Sequence, residues 1–232
     1  MYKLASSKKQ IIAHANQSCP NMLKRGGGVE DLRFRKLCDE SLVVELLVNV
    51  QESMGANVIN TVAEHTAPFL QSLLKQGRVS IKILTNLCTE RMTMASFELP
   101  TSKMSYKGIP GEEVAARILE AQKFAEKDQF RATTHNKGIM NGIDAVAVAA
   151  GQDWRALESA AHSYTALSGK YLPLTSYCIE GDLFKGSIEL PLAVGTYGGA
   201  INSNPEYANF LKILGNPTGS ELSQVMAAVG LA

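Results

Sequence analysis

The sequence predicts an α+β protein in two parts: a small α/β domain over residues 1–87 and a larger, mostly helical domain over residues 88–232. Three observations carry this. The first 85 residues alternate between helical and strand periodicity, and from residue 110 apolar positions recur mostly at spacings of three and four. Aromatic residues make up only 6% of the chain while Ala, Val, Ile and Leu abound, which favours helices packed through small residues over an aromatic-rich sandwich.

Residues 6–24 carry Ile11, Ile12, Ala15, Met22 and Leu23 at broadly helical spacing and end at Gly26-Gly27-Gly28, where glycine eases the left-handed turn of a helix end. Residues 29–37 follow, with Leu32 and Phe34 alternating with charged Asp31, Arg33 and Arg35. Residues 41–50 are nearly continuous in aliphatic residues. Both read as strands, joined by a short Cys-Asp-Glu turn. Residues 52–76 return to a helical period through Val58, Val62, Leu70 and Leu74, and Pro68 inside them predicts a kink or a break. Residues 79–84 (VSIKIL) alternate and predict a third strand.

Helix, strand, strand, helix, strand is the order of a ferredoxin-like βαββαβ unit whose first strand is missing. A complete three-stranded α+β domain is the alternative. Beyond residue 110, Pro110-Gly111 with Glu112 and Glu113 opens a helix carrying Val114, Ile118, Ala121 and Ala125. Asp153 is an N-cap for a helix with Trp154, Leu157, Ala161 and Tyr164 inward. Residues 186–194 suggest a strand or pair of strands, and Thr218-x-x-Glu221 is a capping box for a last helix through Val225, Met226 and Val229.

Composition narrows the function. Lys plus Arg total 23 against 22 for Asp plus Glu, so no charge excess points to nucleic acid or to an anionic membrane. The four cysteines, Cys19, Cys38, Cys88 and Cys178, form no CxxC pair and read as buried free thiols, with no metal site. No apolar run approaches the roughly 20 residues of a membrane span, the start is not a secretory signal, and a cytoplasmic location is expected.

The segment richest in chemistry is RATTHNKGIMNG, residues 131–142. It gathers Arg, two Thr, His, Lys and two Asn, with Gly138 and Gly142 permitting close backbone approach. Followed by an apolar run, it suits a polar pocket at the entrance to a buried helix, where a lysine could stabilise a developing oxyanion. A solvated loop capping a helix is the plainer reading. Asp153 is likewise a helix cap on spacing alone. At residues 54–57, MGAN is a weak signal by itself, and the GxGxxG fingerprint is absent.

RATTHNKGIMNGIDA followed by GQDWRALESAAH closely resembles the active-site region of class II 3-hydroxy-3-methylglutaryl-coenzyme A (HMG-CoA) reductases. ESMGANVINTVAE resembles that family's cofactor-loop motif, with Glu52-Ser53 where Asp-Ala is usual. GGG, LTNL at residues 84–87 and ELPLAVGTYGGA at residues 189–200 also fall in family order, so the likeness covers essentially the whole chain. It implies a mostly helical substrate domain joined to a small ferredoxin-like cofactor domain. It also implies reduction of HMG-CoA to mevalonate and free coenzyme A with two hydrides from NADH or NADPH, without a metal; some members run the reverse, degradative direction. The family's sites form at a dimer interface, so a homodimer or higher homo-oligomer is expected.

Carried over by motif, Lys137 is the catalytic lysine, stabilising the oxygen of the thioester carbonyl as hydride arrives, and Asp153 the catalytic aspartate holding that ammonium's charge. Arg131 matches the residue gripping the substrate carboxylate, Asn141 a polar active-site asparagine, and Thr134 is a pocket neighbour. Glu52, Met54, Gly55, Ala56 and Asn57 fall on the cofactor loop, at a helix N-terminus suited to a pyrophosphate, and Asn86 on the residue reaching the nicotinamide end. His135 does not match the catalytic histidine and reads as structural or as a residue that supports the pocket from behind, while His14, His65 and His162 carry no signal beyond ordinary helix residues. The catalytic glutamate and the histidine that protonates the leaving thiolate find no counterpart among the 232 residues. The resemblance therefore implies a central portion of the enzyme, with little or no turnover alone; the alternative is a catalytically incomplete chain that binds nucleotide or pairs with an intact subunit.

Overall fold

The computed structural model describes residues 2–38, 41–75 and 77–232. The chain divides into two compact units, Met1–Thr85 and Asn86–Ala232. The class is α+β, with helices in the majority and two small antiparallel sheets.

The first unit opens on α1 (Tyr2–Ser6), α2 (Lys8–Asn16) and α3 (Pro20–Lys24) in place of the one helix predicted over residues 6–24. Pro20 explains the second interruption. It has no N–H to give, sits at the first position of α3, and leaves Cys19 at φ −129° outside the helical region. Strands β1 (Gly28–Cys38) and β2 (Ser41–Asn49) then form an antiparallel ribbon in which Arg33 faces Glu45 and Phe34 faces Val44. Of the predicted Cys-Asp-Glu turn, Asp39 and Glu40 lie outside the described residues. The Asn16 side chain ties α2 to the ribbon, its Nδ2 donating to Val29 O at 3.1 Å and its Oδ1 accepting from Val29 N at 2.7 Å.

Helix α4 (Ala56–Leu74) runs unbroken through Pro68. Pro68 is exposed, as is Glu64, whose carbonyl loses its partner, so water can take the freed acceptor. Two clusters form this unit's core: Ala15, Cys19, Met22, Val29, Val50 and Val62, and beside them Leu4, Ile11, Leu32 and Leu70.

The strand expected over residues 79–84 is not formed. Its backbone is held by helix side chains instead of a ladder: Val79 N donates to Gln71 Oε1 at 3.0 Å, and Leu84 N to Asn60 Oδ1 at 2.9 Å. Eleven residues of helix and five of extended chain both cover about 17 Å, so this run lies stretched back along α4. Its alternate apolar residues stay uncovered, Ile81 at 79% and Ile83 at 66% exposure.

In the second unit β3 (Met92–Pro100) leads through a short 3-10 turn to α5 (Gly111–Lys127), α6 (Gln129–Ala149) and α7 (Trp154–Thr165). Then follow β4 (Thr175–Glu180), β5 (Leu183–Pro191), α8 (Ala200–Ser203), α9 (Pro205–Ile213) and α10 (Gly219–Leu231). The sheet order is β3-β5-β4, all antiparallel. Of these strands only β5 falls in a region the sequence marked, and it begins earlier, at Leu183. Helices α6 and α10 cross through glycines: a Cβ on Gly142 would lie 2.8 Å from Val229 O, and one on Gly230 2.8 Å from Ile143 Cγ1. One continuous core joins Met140, Ile143, Leu157, Ile188, Leu190 and Met226.

Both helix caps read from the sequence are present. Asp153 accepts from Ala156 N at 3.2 Å, and Thr218 and Glu221 form the reciprocal capping box of α10. None of the four cysteines is in a disulfide, but only Cys19 is buried; Cys38 and Cys178 are exposed and Cys88 is half-buried. No helix among the described residues is long and apolar enough to cross a membrane.

Candidate active site

Residues 131–142 are neither a loop nor a helix entrance. They are the first half of α6, which starts at Gln129 under the Asp128 cap, where Oδ2 accepts from Arg131 N at 2.9 Å. A buried stripe forces this: Ala132, Asn136, Ile139, Met140, Ile143 and Ala147 recur at three and four and enter the core. The polar residues are thereby turned outward together. At 100° per residue, Arg131, Thr134, Lys137 and Asn141 fall within about 120° of helix surface.

That face is open. Thr134, Lys137 and Asn141 are exposed and Arg131 is half-buried. Among the described residues, the Lys137, Asn141 and Arg131 side chains make no hydrogen bond or ion pair, and Thr134 bonds only its own helix at Phe130 O, 3.4 Å away. Gly138 lies on this face, toward its Arg131 edge, with nothing among the described residues within 4 Å of where a Cβ would stand. Glycine there costs the helix about 1 kcal/mol relative to alanine, and no neighbour in the chain requires it.

The back of the same segment is anchored. Asn136, fully buried, donates from Nδ2 to Leu172 O at 2.9 Å and accepts from Leu174 N at 2.8 Å. His135 Nε2 lies 2.7 Å from Thr175 Oγ1. Burial first, then the Arg131 charge, pushes the His135 imidazole below its usual range, so it is neutral near pH 7.

Asp153 stands apart from Lys137 within the chain. Its carboxylate caps α7 and lies 3.7 Å from Arg155 Nε, with no bond to Lys137. From Lys137 to Ala147, whose carbonyl accepts from Gln152 N beside Asp153, is ten residues or about 15 Å of helix.

In the first unit the predicted loop leads into α4. Gly55 caps it at φ 98°, and a Cβ there would lie 2.5 Å from Val50 Cγ1, so only glycine fits. The cap uses no side chain and the first turn has no acidic residue, leaving the amides of Ala56 and Asn57 and the positive helix end available to an anion. Glu52 is exposed; Met54 is half-buried. Asn86 is exposed and begins the second unit. No cluster of three or more His, Cys, Asp or Glu able to hold a metal occurs among the described residues.

One group of residues was passed over by the sequence reading. Asp144 and Glu158 approach within hydrogen-bond reach, Glu158 Oε2 meets His162 Nε2 at 2.6 Å, and His162 Nδ1 meets the Tyr171 hydroxyl at 2.6 Å. A carboxyl at three-four spacing on a largely apolar helix segment was the only available signal.

Comparison with known proteins bears on this arrangement. The family model described as hydroxymethylglutaryl-coenzyme A reductase matches residues 1–232. A 3-hydroxy-3-methylglutaryl-coenzyme A reductase of Archaeoglobus fulgidus is 43% identical over 236 residues, covering 100% of this chain and 52% of the relative. A probable reductase of the same name from Borreliella burgdorferi is 35% identical over 91% of this chain and 49% of its own length. Among solved structures, the class II enzyme of Streptococcus pneumoniae bound to NADPH in open conformations superposes with a TM-score of 0.94 at 40% identity. The match covers 99% of this chain and 56% of that one. The chain thus spans about half the length of the curated relatives it matches, and it belongs to the hydroxymethylglutaryl-coenzyme A reductase family as a homologue of the class II enzymes.

Proposed function

We propose that this chain supplies the oxyanion-stabilising and cofactor-binding parts of an oxidoreductase that interconverts HMG-CoA with mevalonate and coenzyme A, using NADH or NADPH, in the cytoplasm. The observation that carries this reading is the solvent-open face of α6, where Arg131, Thr134, Lys137 and Asn141 share a surface with a glycine that nothing among the described residues covers. Arg131 pairs with the substrate's terminal carboxylate through its planar guanidinium. The Lys137 ammonium lies against the thioester oxygen and stabilises the negative charge that develops there. Asn141 and Thr134 complete the polar wall.

Residues 1–87 act as the cofactor domain and residues 88–232 as part of the substrate domain. Glu52, Met54, Gly55, Ala56 and Asn57 hold the dinucleotide at the start of α4; Asn86 is assigned to the nicotinamide by motif alone. The bound dinucleotide supplies the hydride. The amides at the start of α4 bind its pyrophosphate, and Gly55 keeps the approach free of side chain. The small domain is ferredoxin-like and short of one strand, a reading supported by the strand-like alternation of residues 79–84 without a ladder partner. The protein works as a homodimer, a reading that rests on the family likeness, in which sites form between subunits, and is consistent with the absence of a Lys137–Asp153 bond within one chain.

The test is NADH or NADPH oxidation with HMG-CoA, run on the chain alone and with a polypeptide carrying the glutamate and histidine segments. Turnover is expected only in the second case, reduced by roughly 10²–10³ in Lys137→Ala. Turnover unaffected by that substitution would overturn the assignment.

A further inference from the structure

Asp144 lies two turns beyond Lys137 on α6, and Glu158 lies one turn into α7, the helix that Asp153 caps. Asp144 Oδ1 is sealed from solvent and meets no donor. Its neighbour is the Glu158 carboxyl, and two carboxylates cannot bond each other unless one carries a proton. Glu158 is further fixed by His162 at 2.6 Å, and His162 by the Tyr171 hydroxyl at 2.6 Å, the two rings stacked at 6.0 Å. The groups facing the pair are thus Glu158 and His162 from α7 and Tyr171 from the segment after it. Among the described residues no lysine or arginine bonds either carboxyl, and α5, α10 and β5 contribute no ionisable partner to them.

We propose that Asp144 and Glu158 share a single proton and latch α6 to α7, positioning the Lys137 face of one helix relative to the Asp153 cap of the other. Neither is a catalytic residue; both act through the helices they join. The positioning role rests on the function proposed above, whereas the latch stands on contacts within this chain.

Its pH behaviour has a definite sign. Burial first, then the hydrogen bond and charge of Glu158, pushes the Asp144 carboxyl up to about 7. The unfolded carboxyl titrates near 4. Between these values the folded chain holds a proton that the unfolded chain has lost, so stability falls as pH rises from about 4 to about 7 and stays at its lower level above.

The experiment compares thermal unfolding of the unsubstituted chain, Asp144→Asn and Glu158→Gln from pH 5 to 8, with carboxyl-carbon NMR on the unsubstituted chain. A carboxyl titrating near 7 and a flatter pH dependence in Asp144→Asn, whose amide donates to Glu158 at every pH, are expected. An Asp144 carboxyl titrating near 4 would overturn the latch, and so would an unchanged pH dependence in both variants. NMR decides if a variant does not fold. For positioning, the kcat–pH profile of the complemented enzyme is read: Asp144→Asn should carry its alkaline limb upward at constant KM, and an equal loss at all pH values would overturn that role. Failure of the functional reading would show separately, as turnover indifferent to Lys137, with the carboxyl titration unchanged.

Discussion

At the scale of single residues, the most informative one has no side chain. Gly138 weakens a 21-residue helix at its centre and is not required by packing, unlike Gly142, which meets α10, or Gly55, which meets Val50. A glycine kept where alanine would fit marks a surface that something else approaches closely. Replacing it separates stability from binding. Gly138→Ala is expected to raise stability by about 0.5–1 kcal/mol, because alanine restricts the unfolded chain and suits the helix. The same methyl would stand beside Thr134 and Asn141, one turn away on either side, and should weaken binding of a coenzyme A thioester. Chemical denaturation and calorimetric titration of the same sample check both parts; tighter binding would contradict the assignment of this face.

At the scale of elements, α6 is positioned from behind. Asn136 bonds the carbonyl of Leu172 and the amide of Leu174, so the segment leading into β4 is fastened to the helix directly beneath Lys137. Asn136→Ala strips both bonds and leaves two backbone groups without partners, an expected loss of about 2–3 kcal/mol by chemical denaturation. An effect within 0.5 kcal/mol would mean that water replaces the amide. The same helix shows what the sequence could disclose. Thr133, Thr134, Asn136, Gly138 and Asn141 are weak helix formers, and together they read as a loop. The buried stripe behind them decides otherwise, and it is visible only when residues 131–142 are read together with Ile143 and Ala147. Motif likeness picked out Lys137 and its neighbours without fixing the shape of the surface on which they lie. Strands β3 and β4 stayed hidden because their partner, β5, is remote in sequence from β3, and because Thr175–Glu180 has few apolar residues to betray a face. Residues 79–84 erred the other way: alternation states a strand's preference, but a strand exists only where a neighbour offers its backbone. The latch carboxyls were out of reach for a similar reason, since Asp144 and Glu158 meet only once two helices have turned a corner.

At the scale of the molecule, the two units differ in how their backbones are secured. The second has one continuous apolar core under a three-stranded sheet, crossed by α6 and α10 at contact distance. The first divides its core into two small clusters over a two-stranded ribbon. Its residues 77–84 depend on the side chains of Gln71 and Asn60 for their backbone bonds. A two-stranded ribbon is marginal without further packing, and backbone groups outside a ladder open with little cost. Amide hydrogen exchange should therefore proceed in order. Residues 77–84 exchange first, the β1–β2 ribbon and α4 next, and α6, β5 and α10 last, at the rate set by global unfolding. A dinucleotide that binds at the start of α4 should slow the first unit's exchange in proportion to its occupancy, because ligand binding adds to the stability of the unit that holds it. Equal protection in both units without ligand would show that the first unit is secured by contacts beyond its own core. Protection by NADPH confined to the second unit would move the cofactor away from Gly55.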